Sequence, residues 1–228
     1  MGIIRHFDLK KFKTNYGLKH FFETGSFKGE GIKHARKFDF EKIWSSEIMD
    51  EYVQLCQDRF AEDSRVKIYK GTSADIITNE VSKLDGPTLF WLDAHFPGAD
   101  GGLREYDEEK DFHLKFPLQR EIELIAKVRL GQKDVFIIDD LWIYDESEFQ
   151  SGYLPEYITP PKDRSIDFII ENFGNTHHII RCYDHEGYII LIPKEFDPKV
   201  YFTDQQFLRR NLPFLFSKNE SQHRLQKD

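Results

Sequence analysis

Phe22-Glu-Thr-Gly-Ser-Phe-Lys-Gly-Glu-Gly31 is the stretch whose reading decides the fold. It follows an apolar run, Leu18 to Phe22, that reads as a strand, and it opens a helix over Gly29 to Phe38. Glycine at 25 and 29 lets the backbone turn sharply and approach a ligand, while the helix start beyond offers N–H groups that lack intrahelical acceptors. The turn alone is weak evidence. Glu47 stands 24 residues after Glu23, at the end of a second strand, Ile43 to Ser46. An acid there can accept hydrogen bonds from both hydroxyls of a ribose. The pair therefore predicts a nucleoside-bearing ligand, against the plainer reading of Glu47 as an exposed carboxylate at a helix start.

The same alternation continues outward. A short basic helix over residues 8 to 15 precedes the first strand, and Tyr52, Val53, Leu55, Cys56 and Phe60 fall close to a 3.6-residue period after the second. Val66 to Tyr69 reads as a third strand, and Ile76 to Val81 as a short helix. Pro87-Thr-Leu-Phe-Trp-Leu92, between Gly86 and Asp93, is apolar throughout, which implies a strand buried on both faces. Residues 96 to 116 read as a loop, and Leu118, Ile122 and Ile125 as the stripe of a helix. Asp134-Val-Phe-Ile-Ile138 is a second buried strand, closed by Asp139 and Asp140. Such repeated alternation implies a parallel sheet with right-handed crossovers. A helix over Ser165 to Asn172 then leads into two strands, His178 to Tyr183 and Tyr188 to Ile192, joined by Asp184-His-Glu-Gly187 as an antiparallel hairpin. The expected fold class is α/β, Rossmann-like, with about seven strands, mostly parallel, ending in that hairpin and covered by helices on both faces.

Composition agrees with one globular domain over residues 1–228: an N-terminal helix (1–16), a core (17–195), a candidate substrate loop (96–116) and a C-terminal tail (197–228) with an amphipathic stretch through Phe207 and Leu208. With 21 Phe, the core should be Phe-rich. No apolar run approaches the roughly 18–20 residues of a membrane helix, and Met1 to Leu9 lacks the apolar segment of a secretory signal. Cys56 and Cys182 are too few and too distant for a disulfide framework. These features predict a soluble, cytoplasmic protein with no membrane span. A net charge of −8 argues against a duplex nucleic-acid partner. Charge is nevertheless uneven, with ten Lys or Arg against five Asp or Glu through residue 44 and an acidic run from Asp100 to Asp111. The plainest reading of both is a solvated face.

The order strand, ExGxxxG, strand, acid, strand, Gly-Thr-Ser73, strand, Asp93, strand, Asp-Asp, hairpin resembles the class I S-adenosylmethionine-dependent methyltransferases over roughly residues 17 to 195. The resemblance implies that Glu23 faces the methionine amino group of S-adenosylmethionine. It also implies that Gly25, Ser26, Phe27 and Gly29 lie under the cofactor, that Glu47 holds its ribose, and that Ser73 and Asp93 border it. Thr72 stands where an Asp is usual beside the adenine.

A second constellation follows the two buried strands. Leu92-Asp-Ala-His95 and Ile138-Asp-Asp140 should meet at the C-terminal edge of the sheet, where open α/β sheets bind ligands. Three clustered carboxylates repel unless a cation lies between them, and hard oxygen ligands suit Mg2+. The pattern is similar to the macrocin O-methyltransferase family, which methylates sugar hydroxyls. The resemblance implies a Mg2+ site at Asp93, Asp139 and Asp140 and a sugar, glycoside or other small-molecule acceptor. A sugar hydroxyl needs a cation and a base to become a nucleophile, and Asp93 and His95 are the candidate catalytic bases. His95 held only for structure, and Asp139 and Asp140 as helix caps, are the competing readings. Gly98, Gly101 and Gly102 would let the 96–116 loop hinge, and such long loops are commonly lids. Trp91, inside a strand, reads as core, whereas Trp142, Tyr144, Tyr153 and Tyr157 could stack on a sugar. A different hydroxyl or an amine as acceptor, a non-catalytic nucleotide-binding module, an NAD-linked protein and a metal-dependent hydrolase are the alternatives. A homo-oligomer is compatible with the sequence.

Overall fold

The computed structural model describes residues 3–99, 101–106 and 108–203. Seven strands form one sheet: β1 (His20–Thr24), β2 (Lys42–Glu47), β3 (Val66–Lys70), β4 (Thr88–Leu92), β5 (Val135–Ile138), β6 (His177–Cys182) and β7 (Tyr188–Pro193). Their order is β3-β2-β1-β4-β5-β7-β6. The first five strands pair in parallel, and β7 runs antiparallel to both β5 and β6. This is the expected mixed sheet. Helices α1 (Leu9–Tyr16), α2 (Glu30–Ala35), α3 (Asp50–Phe60), α4 (Ser73–Asn79), α5 (Phe112–Lys115), α6 (Leu118–Val128) and α7 (Asp167–Phe173) complete it.

Side-chain alternation splits the core into two layers. Phe21, Ile43, Leu89, Trp91, Ile137 and Ile190 pack with α1, α2 and α3 on one face, while Phe22, Phe90, Leu92, Phe136 and Ile138 pack with α4, α6 and α7 on the other. Phe90 and Phe136 stack with centroids 4.9 Å apart. At the opposite edge from the ligand crevice, buried Arg129 donates to Asp134 at 2.8 and 2.9 Å and to the carbonyls of Leu84 and Gly86, and Asp134 accepts the Thr88 N–H. That ion pair ties the starts of β4 and β5.

Several boundaries differ from expectation. The first strand is His20–Thr24 rather than Leu18 to Phe22, because Gly17 ends α1 in the left-handed region and the Leu18 N–H still bonds to Lys13. Glu23 therefore lies inside the sheet. Helix α2 stops at Ala35, since Phe38 and Phe40 turn inward onto the core. The 96–116 segment contains the short helix α5, and α7 lies slightly later than the expected helix. The expected stretch through Phe207 and Leu208 lies outside the described residues. Among those described, no helix is long and apolar enough to cross a membrane.

The chain fills β1, β2 and β3 in one direction, then crosses back to place β4 on the other side of β1. That reversal opens a crevice beyond the C-terminal ends of β1 and β4. Register sets what faces it: Thr24 pairs with Ser46 and Leu92, and Leu92 pairs with Ile138. Gly25, Glu47, Asp93 and Asp139 consequently emerge side by side.

Candidate active site

A cavity of about 1030 Å3 occupies the crevice. Its wall includes Glu23, Gly25, Ser26, Phe27, Glu47, Ser73, Asp93 and His95. Gly29, at φ +77°, lies behind the wall, where a Cβ would meet the ring of Phe60 at 2.6 Å. Gly25 also has φ +77°, and a Cβ on it would sit 3.1 Å from the Asp93 carbonyl, so both the left-handed backbone and the close approach of this loop to the end of β4 favour glycine at that point.

Glu23 is 2% exposed. Its Oε2 accepts the Ser45 hydroxyl at 3.1 Å. Burial pushes its carboxyl up to about 8, with the nearby Glu47 charge adding to the rise and the Ser45 bond opposing it. A Cβ on Gly31 would collide with Glu23 Oε1, so the last glycine of the opening motif lets this carboxylate lie against the first turn of α2. Glu47 is saturated: Oε2 accepts the Phe27 N–H at 2.8 Å and the Ser26 hydroxyl at 3.4 Å, and Oε1 accepts the N–H groups of Ile48 and Met49, both at 2.9 Å. Its carboxylate thus shapes the loop around Phe27, a residue held at φ 45°. Ser73 opens α4, and Thr72 caps that helix by accepting the Asp75 N–H at 3.1 Å.

The second cluster gathers where β4 and β5 end. Asp93, His95 and Asp140 each bring one ligand atom within 4.8 Å of the other two. His95 Nε2 contacts Asp140 Oδ2 and lies 3.9 Å from Asp93 Oδ1. Asp93 Oδ2 accepts the Trp91 indole N–H at 3.2 Å, so Trp91, buried as expected, also orients a site residue. Asp139 stands beside this trio rather than in it, with both carboxylate oxygens buried and without a partner among the described residues. Burial, then the charges of Asp140 and Glu23, raise Asp93 well above the ordinary carboxylate range; burial, then Asp140 and Asp93, do the same for Asp139. Asp140 is lowered instead, because the charge and hydrogen bond of His95 outweigh its burial. It is held in the left-handed region at φ 56°, strain of the kind that concentrates at functional sites. Oxygen donors, one imidazole and an orphaned buried carboxylate together fit a hard divalent cation such as Mg2+.

Other expectations fare differently. Tyr144 is buried and packs on Phe168, whereas Tyr153 and Tyr157 are exposed. Phe96 anchors the 96–116 segment through Tyr106 and Phe116, with centroids at 5.3 and 5.4 Å. Sequence reasoning missed Ile3 to Arg5, which line the cavity through tertiary contact alone, and Glu121, a buried acid on α6.

Sheet order, hairpin and crevice define a Rossmann-like methyltransferase fold. The chain matches no known sequence family and no curated protein. It is similar to a Staphylococcus aureus structure assigned as a caffeoyl-CoA O-methyltransferase, at 14% identity and a TM-score of 0.52 over 81% of this chain and 80% of that one. It is also similar to the spermidine synthase of Thermotoga maritima, at 12% identity and a TM-score of 0.51 over 92% and 69%. A third match is the methyltransferase domain of the bacterial CtHen1-C structure, at 7% identity and a TM-score of 0.50 over 81% and 94%. One fold thus serves different reactions in these proteins, so chemistry has to be argued from the site.

Proposed function

We propose that this chain transfers a methyl group from S-adenosylmethionine to a hydroxyl of a sugar or glycoside, with Mg2+ assisting. The observation that carries the reading is that a single cavity is lined both by the Glu23–Gly25–Glu47 cradle and by Asp93 and His95, with Asp140 buried against His95. Bound S-adenosylmethionine would supply an electrophilic methyl, and Mg2+ held by Asp93 and Asp140, with Asp139 beside them, would acidify the acceptor hydroxyl.

The chain's own residues perform the rest. Glu23 offers a buried carboxylate to an ammonium group, and Glu47, whose oxygens already accept four donors, keeps the Ser26–Phe27 turn in shape and would exchange its longest bond, from the Ser26 hydroxyl at 3.4 Å, for a ribose hydroxyl. Asp93, fixed by Trp91, is partly open to the cavity and suited to take the proton from the hydroxyl. His95 is the second candidate base, across from Asp140. The 96–116 segment contributes Phe96, Pro97, Gly98 and Gly101 to the wall, and its ring contacts give a lid something to close upon. Exposed Tyr157 lies 5.5 Å from Tyr106 of that segment, an aromatic pair on which a sugar face could stack.

The test is a calorimetric titration with S-adenosylhomocysteine beside NAD, followed by methyl transfer to a glycoside panel. Binding of the first ligand and labelled glycoside are expected. NAD binding in its place, or product formed only on amines, overturns the reading.

A further inference from the structure

Helix α6 turns Leu118, Ile122 and Ile125 toward the sheet, and Glu121 lies on the same face at 1% exposure. An acid in an apolar stripe is strongly disfavoured unless its environment is built for it. The hydroxyls of Ser73 and Thr24 stand near enough to the Glu121 carboxylate to oppose the rise in its pKa, and Thr24 Oγ1 accepts the backbone N–H of Asp93 at 3.2 Å. The acid thus lies where the end of β1, the start of α4 and the end of β4 meet.

Its Oε1 is buried with no hydrogen-bond partner among the described residues. Glu121 fronts a small cavity of about 10 Å3, whose wall also includes His95, Asp139 and Tyr144. Asp139 brings two more unpartnered oxygens to the same neighbourhood. A polar space of this size accommodates one water. Burial raises Glu121 to about 7, opposed by the Ser73 hydroxyl and the charge of His95, as expected of an acid enclosed beside the active site.

We propose that Glu121 is a positioning residue that orients His95 across one buried water. The inference rests on the methyl-transfer reading and deepens it, because it assigns the alignment of a candidate base to one side chain.

Glu121→Leu removes the polar link to that water, whereas Glu121→Gln keeps polar atoms at the cavity. The full chain with bound S-adenosylhomocysteine is examined by nitrogen NMR of the His95 ring, and kcat and the KM for S-adenosylmethionine are measured in parallel. The expected results are displaced His95 resonances in Glu121→Leu, a kcat lower by about 10- to 100-fold, and recovery of most of both in Glu121→Gln. A purely structural role predicts lower melting temperatures in the variants, with unchanged His95 resonances and unchanged kcat per folded molecule; that outcome overturns the proposal. The two claims fail separately. Displaced resonances in a chain that methylates no acceptor support the Glu121 assignment against the methyl-transfer reading, and undisturbed resonances in an active enzyme do the reverse.

Discussion

Glu23 should make cofactor binding depend on pH with a sign and size that follow from its burial. In the free protein its carboxyl is raised to about 8 by desolvation, so at pH 6 nearly every molecule carries a proton there. The ammonium of S-adenosylhomocysteine requires the ionised form, and binding must therefore release that proton. Well below 8 each pH unit weakens binding about tenfold, or ~1.4 kcal/mol, and because half the molecules still carry the proton at pH 8, the affinity at pH 6 is about 50-fold below that at pH 8. The folding sign is the opposite. Folded Glu23 holds a proton that the unfolded chain gives up, so this group subtracts stability as pH rises from its ordinary 4.5 toward 8. Titration calorimetry in buffers of different ionisation heat measures the released proton directly. About one proton per ligand is expected near pH 6.5. Release should vanish in Glu23→Gln and with 5′-methylthioadenosine, which lacks the amino-acid part. Equal affinity at pH 6 and pH 8, or release that survives Glu23→Gln, would refute the placement of Glu23 against the amino group.

Three further outcomes are expected. Glu47→Ala should weaken S-adenosylhomocysteine by about 1.5–3 kcal/mol, and Glu47→Gln should rescue little in calorimetry, because an amide cannot accept all four donors that Glu47 now satisfies. Asp139→Asn should lower methyl transfer while sparing cofactor affinity, and should raise the melting temperature in EDTA, since it removes an acid that burial and two neighbouring carboxylates disfavour; a drop in melting temperature without any metal dependence would assign Asp139 to loop structure. Arg129→Met should destabilise the fold by about 3–5 kcal/mol in urea unfolding, because it strands Asp134 and the carbonyls of Leu84 and Gly86 in the interior.

The order of elements was legible because strand and helix periods differ, and because the Asp184–Gly187 turn could only make a hairpin. Strand ends were less legible. β1 and β4 are buried on both faces, so no alternation marks where they stop, and Glu23 looks like a terminal residue although it lies within β1. Glu23, Gly25, Glu47, Ser73 and Asp93 reach the cavity because each lies at a C-terminal strand edge or just beyond it, a position that motif spacing encodes. His95 joins Asp93 and Asp140 in one cluster, with Asp139 close beside them, a grouping that spacing along the chain does not specify. Glu121 escaped notice since an acid on an amphipathic helix normally faces water. Its position three residues after Leu118 and four before Ile125 was the available signal, for it falls in the middle of the buried stripe.

The most direct test of the account is transfer of a radiolabelled methyl group from S-adenosylmethionine to a panel of glycosides, run with added Mg2+ and with EDTA. The cavity that joins the Glu23–Glu47 cradle to Asp93 and His95, with Asp140 clustered against them, predicts an O-methylated glycoside that forms with Mg2+ and is lost in chelator. Full activity in EDTA would remove the metal and leave Asp93 or His95 as a simple base, and a chain that binds S-adenosylhomocysteine yet labels no hydroxyl would contradict the central claim.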